Sequence, residues 1–202
     1  MTKKIGILGG TFNPVHNGHI AIAKAAKKLF KLDKVVFVPS GLPPHKSSEG
    51  LLDKDKRYKM VLMAIKKIPA FSASRIELDR KGYSYAVDTF LELKKKFGKT
   101  AKLYYIMGLD SINDILNWKK PLDLFKMCQF IVATRPGTKI RTFKRLVKFP
   151  PLKDNIDKIH LFELKKDISS SEIRKRLRNK KTVARMVPKP VNEYIKEKKL
   201  YQ

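Results

Sequence analysis

The chain has 202 residues, a hydrophobic content of 43 % and a formal net charge of +28. This composition excludes a disordered chain, and we predict a single domain over residues 1–202 with a helical C-terminal part at about 168–202. No apolar run approaches the roughly 18 residues that span a bilayer, so no membrane partner is expected. The single cysteine, Cys128, excludes an internal disulfide and is typical of a cytoplasmic protein.

The elements alternate along the chain in a βα pattern. Strands are predicted at 4–8, 34–38, 71–79, 102–107, 129–134 and 159–164. Helices are predicted at 18–31, at 54–67, and from Tyr83 to about Lys96 with Gly98 as its cap, followed by short helical pieces near Trp118 and at 122–125. Residues 140–155 look polar and irregular, and the segment after the last strand looks helical. This alternation predicts an α/β fold, a Rossmann-like parallel sheet with helices on both faces and a small C-terminal helical region.

The turn after the first strand suits phosphate. Two glycines, Gly9 and Gly10, lead from an apolar strand directly into a helix, which gathers free N–H groups and the positive end of the helix dipole. The turn lacks both the dinucleotide Gly-x-Gly-x-x-Gly spacing and the P-loop ending. His16 and His19 lie three residues apart at the helix start and can share one face. Each can donate a hydrogen bond to an anionic transition state and, when protonated, add positive charge.

A second helix start follows the last strand. Ser169 and Glu172 have the spacing of a capping box, and Ile168 and Ile173 occupy its hydrophobic staple positions. Capping alone explains the serines. The alternative is that the serine hydroxyls and Arg174 hold the outer phosphates of a nucleotide.

Four sequence features lie at the carboxyl ends of predicted strands. Ligands of parallel sheets bind at those ends. The four features are the first turn, the loop 40–50 with His45 and Lys46, the Gly108–Ser111 turn with its carboxylate Asp110, and the segment from 168 onward. The sequence therefore predicts a ligand site at this edge of the sheet.

Two of these segments carry a family resemblance. Residues 9–19 resemble the first signature of the nucleotidylyltransferase superfamily, Gly-Gly-Thr-Phe-Asp-Pro-x-His-x-Gly-His, and depart from it only at Asn13. Residues 168–174 resemble the second signature. Further strings make the chain similar to bacterial nicotinate mononucleotide adenylyltransferases: the Pro-Pro-His-Lys loop, Ser84-Tyr85-x-x-x-Thr89, Gly108-x-Asp110 with Trp118, Arg135-Pro136-Gly137 and the Pro-x-Pro ending at 188–190. Ala86 and Leu109 depart from that pattern.

The resemblance implies an enzyme of NAD biosynthesis that joins the AMP part of ATP, supplied with Mg²⁺, to nicotinate mononucleotide. Its implied catalytic residues are His16 and His19. The implied ATP-binding residues are Gly9, Gly10, Thr11, Phe12, Asp110, Ile168, Ser169, Ser170, Ser171 and Arg174. The implied mononucleotide-binding residues are Lys46, Tyr85, Thr89, Trp118 and Arg135. No dedicated metal site is predicted, because the four histidines lack acidic neighbours at ligand spacing.

Other functions stay open at this point. Another nucleotidylyltransferase, acting on nicotinamide mononucleotide or phosphopantetheine, would share the first signature. A basic nucleic-acid-binding module would account for the charge, half of which lies in residues 135–202. Most of the excess is lysine on helical segments, however, so solvated helix faces explain it and no nucleic-acid partner is expected. The sequence leaves open the choice between acid and amide substrate and whether the chain forms a homo-oligomer.

Overall fold

The computed structural model of the chain describes residues 2–44, 50–134, 153, 155–165 and 168–202. Within these ranges lies a six-stranded sheet of order β3-β2-β1-β4-β5-β6, in which every neighbouring pair of strands is parallel. The strands are β1 (Lys4–Gly10), β2 (Lys34–Pro39), β3 (Phe71–Ala73), β4 (Lys102–Gly108), β5 (Gln129–Thr134) and β6 (Ile159–Glu163). The strand order reverses between β1 and β4, and on such sheets a ligand crevice opens at that point.

Helices cover both faces of the sheet. In the described ranges they are α1 (Asn17–Leu29), α2 (Lys54–Ile65), α3 (Ala86–Phe97), α4 (Leu109–Asn113), α5 (Pro121–Met127), α6 (Ser170–Arg178) and α7 (Lys189–Glu197). One core contains buried residues of α1, α2, α6 and α7, and the other contains those of α3, α4 and α5. The predicted Rossmann-like α/β fold is therefore confirmed.

The side chains of strand β1 are divided between the two cores. Leu8 belongs to the first core, whereas Ile5 and Ile7 belong to the second. Successive side chains of a strand point to opposite faces, so a continuous apolar run is what a strand covered on both sides requires.

Two predicted boundaries are wrong. The strand predicted at 71–79 ends at Ala73, since β3 pairs only with β2 and the chain then turns, with the Asp79 N–H donating to the Arg75 carbonyl at 2.9 Å. Helix α3 begins at Ala86 and not at Tyr83. Its predicted cap is confirmed: Gly98 has a φ of +82° and donates its N–H to the Lys94 carbonyl. The prediction for 140–155 falls outside the described residues, apart from 153 and 155.

The buried face of α2 includes a charged residue. Arg57 is 1 % exposed and lies on the buried side with Met60 and Val61, whereas Leu62 is 43 % exposed. None of the described helices is long and apolar enough to cross a bilayer.

Candidate active site

The first turn passes from β1 into α1 with two aromatic contacts beneath it. Phe12 has a φ of +49° and is 1 % exposed, so its side chain faces the core. Its ring lies edge-on against His19, with centroids 4.9 Å apart, and packs on Phe37 at 5.8 Å. Phe12 can therefore offer a ligand its backbone, while its side chain supports His19 from below.

His16 and His19 form a stacked pair at the start of α1. Their ring centroids are 3.7 Å apart and their planes are inclined by 27°. The backbone N–H of His16 donates to Nδ1 of His19 at 3.2 Å. Because Nδ1 accepts, a neutral His19 carries its proton on Nε2, which makes that nitrogen a donor. The sequence-based expectation that the two side chains share one face is confirmed.

His16 is buried and neutral at physiological pH. It is 6 % exposed, and burial lowers the pKa of its imidazole from 6.5 to about 4. Its Nδ1 atom is buried and makes no hydrogen bond within the described part of the chain. A Cβ atom added at Gly18 would come within 2.9 Å of that nitrogen, so glycine leaves room for the ring. His16 thus offers hydrogen bonding rather than positive charge near pH 7.

The start of α6 lies against the start of α1. Ser169 Oγ accepts from the Glu172 N–H at 3.1 Å, which confirms the predicted cap. Ser170 Oγ donates to the Pro14 carbonyl at 2.9 Å, and Arg174 Nη1 donates to the Asn13 carbonyl at 2.8 Å. These two bonds hold the N-termini of two helices side by side, so the positive ends of their dipoles converge. We call residues 16–19 together with 169–174 the helix-start clamp.

Asn13 is anchored through both ends of its amide. Its Nδ2 donates to the Gly50 carbonyl at 2.9 Å, and its Oδ1 accepts from the Leu52 N–H at 3.3 Å and from the Tyr201 hydroxyl at 2.9 Å. A carboxylate could accept the last two bonds but could not donate the first. The departure from the first signature at this position therefore gives the turn an added bond to the loop that follows β2.

The buried side chain of Arg57 links three backbone segments of the same region. Its guanidinium donates to the Thr11 carbonyl at 2.7 Å, to the Leu52 carbonyl at 2.9 Å and to the Gly41 carbonyl at 3.3 Å. Burial lowers its pKa, and Tyr201 and Asp53 partly offset that effect. Sequence reasoning missed this residue. The available signal was its spacing of three and four residues from the buried Met60 and Val61.

A cavity of about 690 Å³ opens beside the first turn, at the reversal between β1 and β4. Six of the residues implied by the resemblance line it: Gly9, Gly10, Thr11, Tyr85, Asp110 and Trp118. Trp118 is half-buried, and its ring centroid lies 6.0 Å from that of Tyr105. Aromatic side chains and the glycines of the first turn therefore both line the cavity.

The start of α3 forms another part of the cavity wall. Tyr85, the N-cap residue, makes no side-chain capping bond, and both Tyr85 and Ala86 line the cavity. Lys119 Nζ lies 4.5 Å from the Tyr85 ring centroid and 3.0 Å from Asp88 Oδ2. The N-terminus of α3 thus presents the positive end of its helix dipole to the cavity, while the charge of Lys119 is paired with Asp88.

Thr89 lies behind the wall rather than on it. It is 2 % exposed, and its hydroxyl donates to Glu77 Oε1 at 2.8 Å. Glu77 itself lines the cavity and was missed by sequence reasoning. Burial raises the pKa of the Glu77 carboxyl, while hydrogen bonds from Thr89 and Ser84 and the nearby Arg80 oppose that rise.

The structure therefore gathers most of the described residues implied by the resemblance into two adjoining groups. The cavity holds the six named above, and the clamp holds His16, His19 and Ser169 to Arg174, with Ile168 directly before it; the side chains of Phe12 and Thr89 are buried outside both groups. Lys46 and Arg135 lie outside the described residues. In the described ranges no cluster of three or more His, Cys, Asp or Glu side chains could hold a metal ion. The arrangement can accept a polyanion at the clamp and a flat ring in the cavity.

Comparisons with known proteins agree with this geometry. Residues 7–176 match the cytidylyltransferase-like family. A probable nicotinate-nucleotide adenylyltransferase of Moorella thermoacetica is 43 % identical over 98 % of the chain and 92 % of the relative. One from Thermoanaerobacter sp. strain X514 is also 43 % identical, over 98 % of the chain and 94 % of the relative.

A solved structure supports the fold. The nicotinic acid mononucleotide adenylyltransferase of Plasmodium falciparum, complexed with NaAD, is similar with a TM-score of 0.79 at 23 % identity, over 98 % of this chain and 97 % of that one. With the signatures, the fold and the full-length relatives in agreement, the chain belongs to the cytidylyltransferase-like family and, within it, to the nicotinate-nucleotide adenylyltransferases.

Proposed function

We propose that the chain transfers the adenylyl group of ATP to nicotinate mononucleotide, giving deamido-NAD and pyrophosphate. The observation that carries this proposal is the continuity of one turn. Residues Gly9–Thr11 line the cavity, and the same turn ends in the stacked histidines of the helix-start clamp. A ring bound in the cavity and a triphosphate bound at the clamp would therefore meet along a single stretch of backbone.

The clamp is the proposed site for the phosphates of ATP. It offers the N-termini of α1 and α6, the Nε2 donor of His19, the hydroxyls of Ser169 and Ser171 and the guanidinium of Arg174, while Ser170, whose hydroxyl donates to the Pro14 carbonyl, offers its backbone N–H. Arg174 already donates through Nη1 to the Asn13 carbonyl, so it reaches a phosphate with its remaining N–H groups. Mg²⁺ enters with ATP as part of the substrate.

The cavity is the proposed site for the pyridine mononucleotide. Trp118 would stack on the pyridine ring, and the N-terminus of α3 at Tyr85 would face its carboxylate. Asp110, exposed at the first turn of α4, would accept hydrogen bonds from a ribose or ring edge on the ATP side. Lys46 and Arg135 are proposed for the mononucleotide phosphate on the resemblance alone.

The proposed reaction is a direct in-line transfer. A phosphate oxygen of the mononucleotide forms a bond to the α-phosphorus of ATP, while the bond from that phosphorus to the oxygen bridging to the β-phosphate breaks and pyrophosphate leaves. Transfers of this kind depend on positioning and on stabilising charge, and they need no nucleophile from the protein. The neutral His16 and the Nε2 donor of His19 fit this requirement as hydrogen-bonding groups.

A substrate panel tests the proposal. The purified chain is given ATP and Mg²⁺ with nicotinate mononucleotide, nicotinamide mononucleotide or phosphopantetheine, and pyrophosphate release is measured together with the identity of the product. We expect the highest kcat/KM with nicotinate mononucleotide, and a His19→Ala variant serves as the control for activity of this site. A preference for phosphopantetheine, or the absence of a dinucleotide product, would contradict the proposal.

A further inference from the structure

Glu77 is a buried carboxyl group in the wall of the cavity. It follows β3 in the turn at residues 74–79, is 8 % exposed and lines the cavity. Side chains of glutamate are rarely this buried unless they are hydrogen-bonded, and such groups are costly to leave without partners. Neither of the two signatures includes this position.

Two hydroxyl groups donate to Glu77. Thr89 Oγ donates to Oε1 at 2.8 Å, and the Ser84 hydroxyl makes a second bond to the carboxyl. Thr89 comes from the second turn of α3, and Ser84 lies just before the helix. The carboxyl therefore holds α3 at two points on either side of Tyr85 and Ala86, the two residues that present the helix start to the cavity.

Ser84 extends the same network to the loop after β2. Its Oγ accepts from the N–H of Gly41 at 2.9 Å and from that of Leu42 at 3.3 Å. Since these bonds use its lone pairs, its single hydrogen is available to Glu77. The backbone of Gly41 packs so closely on the Glu77 carbonyl that an added Cβ would overlap it. The loop then continues into Pro43 and Pro44, which also line the cavity.

Arg80 closes the network on its outer side. It donates to Thr89 Oγ at 3.1 Å through Nη1 and to the Glu92 carboxylate at 2.9 Å through Nε. The Thr89 hydroxyl has two acceptors in reach, Glu77 Oε1 at 2.8 Å and the Tyr85 carbonyl at 3.2 Å, and the carboxyl is the nearer one. In the described part of the chain, the hydrogen-bond partners of Glu77, Ser84 and Thr89 lie outside the helix-start clamp.

We propose that Glu77 is a positioning residue for the mononucleotide half of the site: its carboxyl holds the start of α3 and the loop after β2 in the arrangement that receives nicotinate mononucleotide. This inference rests on the proposed function. Since the network reaches the cavity but not the clamp, it makes an asymmetric prediction. Disturbing Glu77 weakens the binding of the mononucleotide and leaves the binding of ATP unchanged.

The experiment compares Glu77→Gln, Thr89→Val and the double variant with the wild-type chain. KM for nicotinate mononucleotide, KM for ATP and kcat are measured, together with the melting temperature. Asp79→Asn is the matched control, because this carboxylate lies in the same turn but is exposed and pairs outward with Arg75 at 3.0 Å. Thr89→Val is the milder change and covers the case in which Glu77→Gln fails to fold.

We expect each single variant to raise KM for the mononucleotide about tenfold, the scale of one lost hydrogen bond, with KM for ATP changed less than about twofold. The double variant should raise KM for the mononucleotide no more than the more impaired of the two single variants does, because both substitutions act on one network. Additive effects would mean that Thr89 contacts the substrate on its own, and would overturn the inference. So would an equal rise in both KM values, or a lowered melting temperature with unchanged KM values, since either indicates a general structural role.

The wild-type measurement separates this inference from the proposed function. A wild-type chain without activity on nicotinate mononucleotide overturns the proposed function and, with it, the role of Glu77. An active wild type combined with Glu77→Gln and Thr89→Val variants of unchanged KM overturns the role of Glu77 alone.

Discussion

The buried His16 makes stability depend on pH in a way that can be calculated. Its imidazole has a pKa of about 4 in the folded chain and 6.5 when exposed. Between these values the unfolded state binds more protons than the folded state, so the free energy of unfolding falls as the pH falls. This shift removes about 2 kcal/mol between pH 7.5 and pH 5, and roughly 3 kcal/mol once the pH is below 4.

Replacing the titrating group isolates this contribution. Urea unfolding is measured at pH 7.5 and pH 5.0 for the wild type and for His16→Gln, and the loss of unfolding free energy between the two pH values is compared. We expect the loss to be about 2 kcal/mol larger in the wild type. Other titrating groups are common to both proteins, so their contributions cancel to first order.

A second variant serves as the control for this measurement. His160, on β6, contacts Gln129 Oε1 at 2.8 Å and lies outside the clamp. His160→Gln retains the buried His16 and should therefore keep the additional loss that His16→Gln abolishes. Equal losses in the wild type and His16→Gln would refute the reasoning, because they would mean that His16 is not held neutral by burial.

Three further predictions concern the site and its supports. His19→Ala should lower kcat by roughly 10²–10³-fold, the scale for one lost transition-state donor, and full kcat in that variant would contradict its assignment. Trp118 is the only tryptophan, so binding of nicotinate mononucleotide should change the intrinsic fluorescence of the wild type. Trp118→Phe should raise KM for the mononucleotide more than KM for ATP. Fluorescence that stays unchanged at saturating mononucleotide would contradict the proposed stacking of Trp118 on the pyridine ring. Tyr201→Phe deletes the hydroxyl that donates to Asn13 Oδ1 at 2.9 Å and should cost about 1 kcal/mol, or roughly 2–4 °C in Tm for a chain of this size; an unchanged Tm would show that this bond adds no net stability.

The sequence predicted the strands of the sheet centre and the two helix starts because their signals are local. The apolar run at 5–8 is continuous because β1 is covered on both faces. Ser169 caps α6 because its hydroxyl oxygen accepts a hydrogen bond from the N–H of Glu172, three residues later in the chain. Such features depend on neighbours in the chain, so pattern and spacing suffice to find them.

The edge of the sheet was harder to predict. Residues 71–79 alternate in polarity as a strand does, yet only Phe71 to Ala73 pair with β2. The length of β2 does not end β3, since β2 continues to Pro39 beyond its last pair, Phe37 with Ala73. The turn at residues 74–79 ends β3, and the hydrogen bonds from Ser84 and Thr89 to Glu77 in this turn come from a later part of the chain. The exposed Leu62 and the buried Arg57 of α2 reflect the same limit, because Arg57 is buried with hydrogen bonds to the carbonyls of Thr11 and Gly41, which are remote in the sequence.

The sequence by itself determined the fold class and the family, and it predicted the two helix starts at residues 16–19 and 169–174. Only the tertiary structure decided how they meet: Ser170 and Arg174 bind the carbonyls of the first turn across more than 150 positions of sequence. It also decided that His16 is neutral, that the amide of Asn13 is used at both ends, and that Glu77 stands in the cavity wall. Each of these properties arises from burial and from partners remote in the chain, and desolvation and hydrogen-bond satisfaction are set by the folded environment and not by the residue alone.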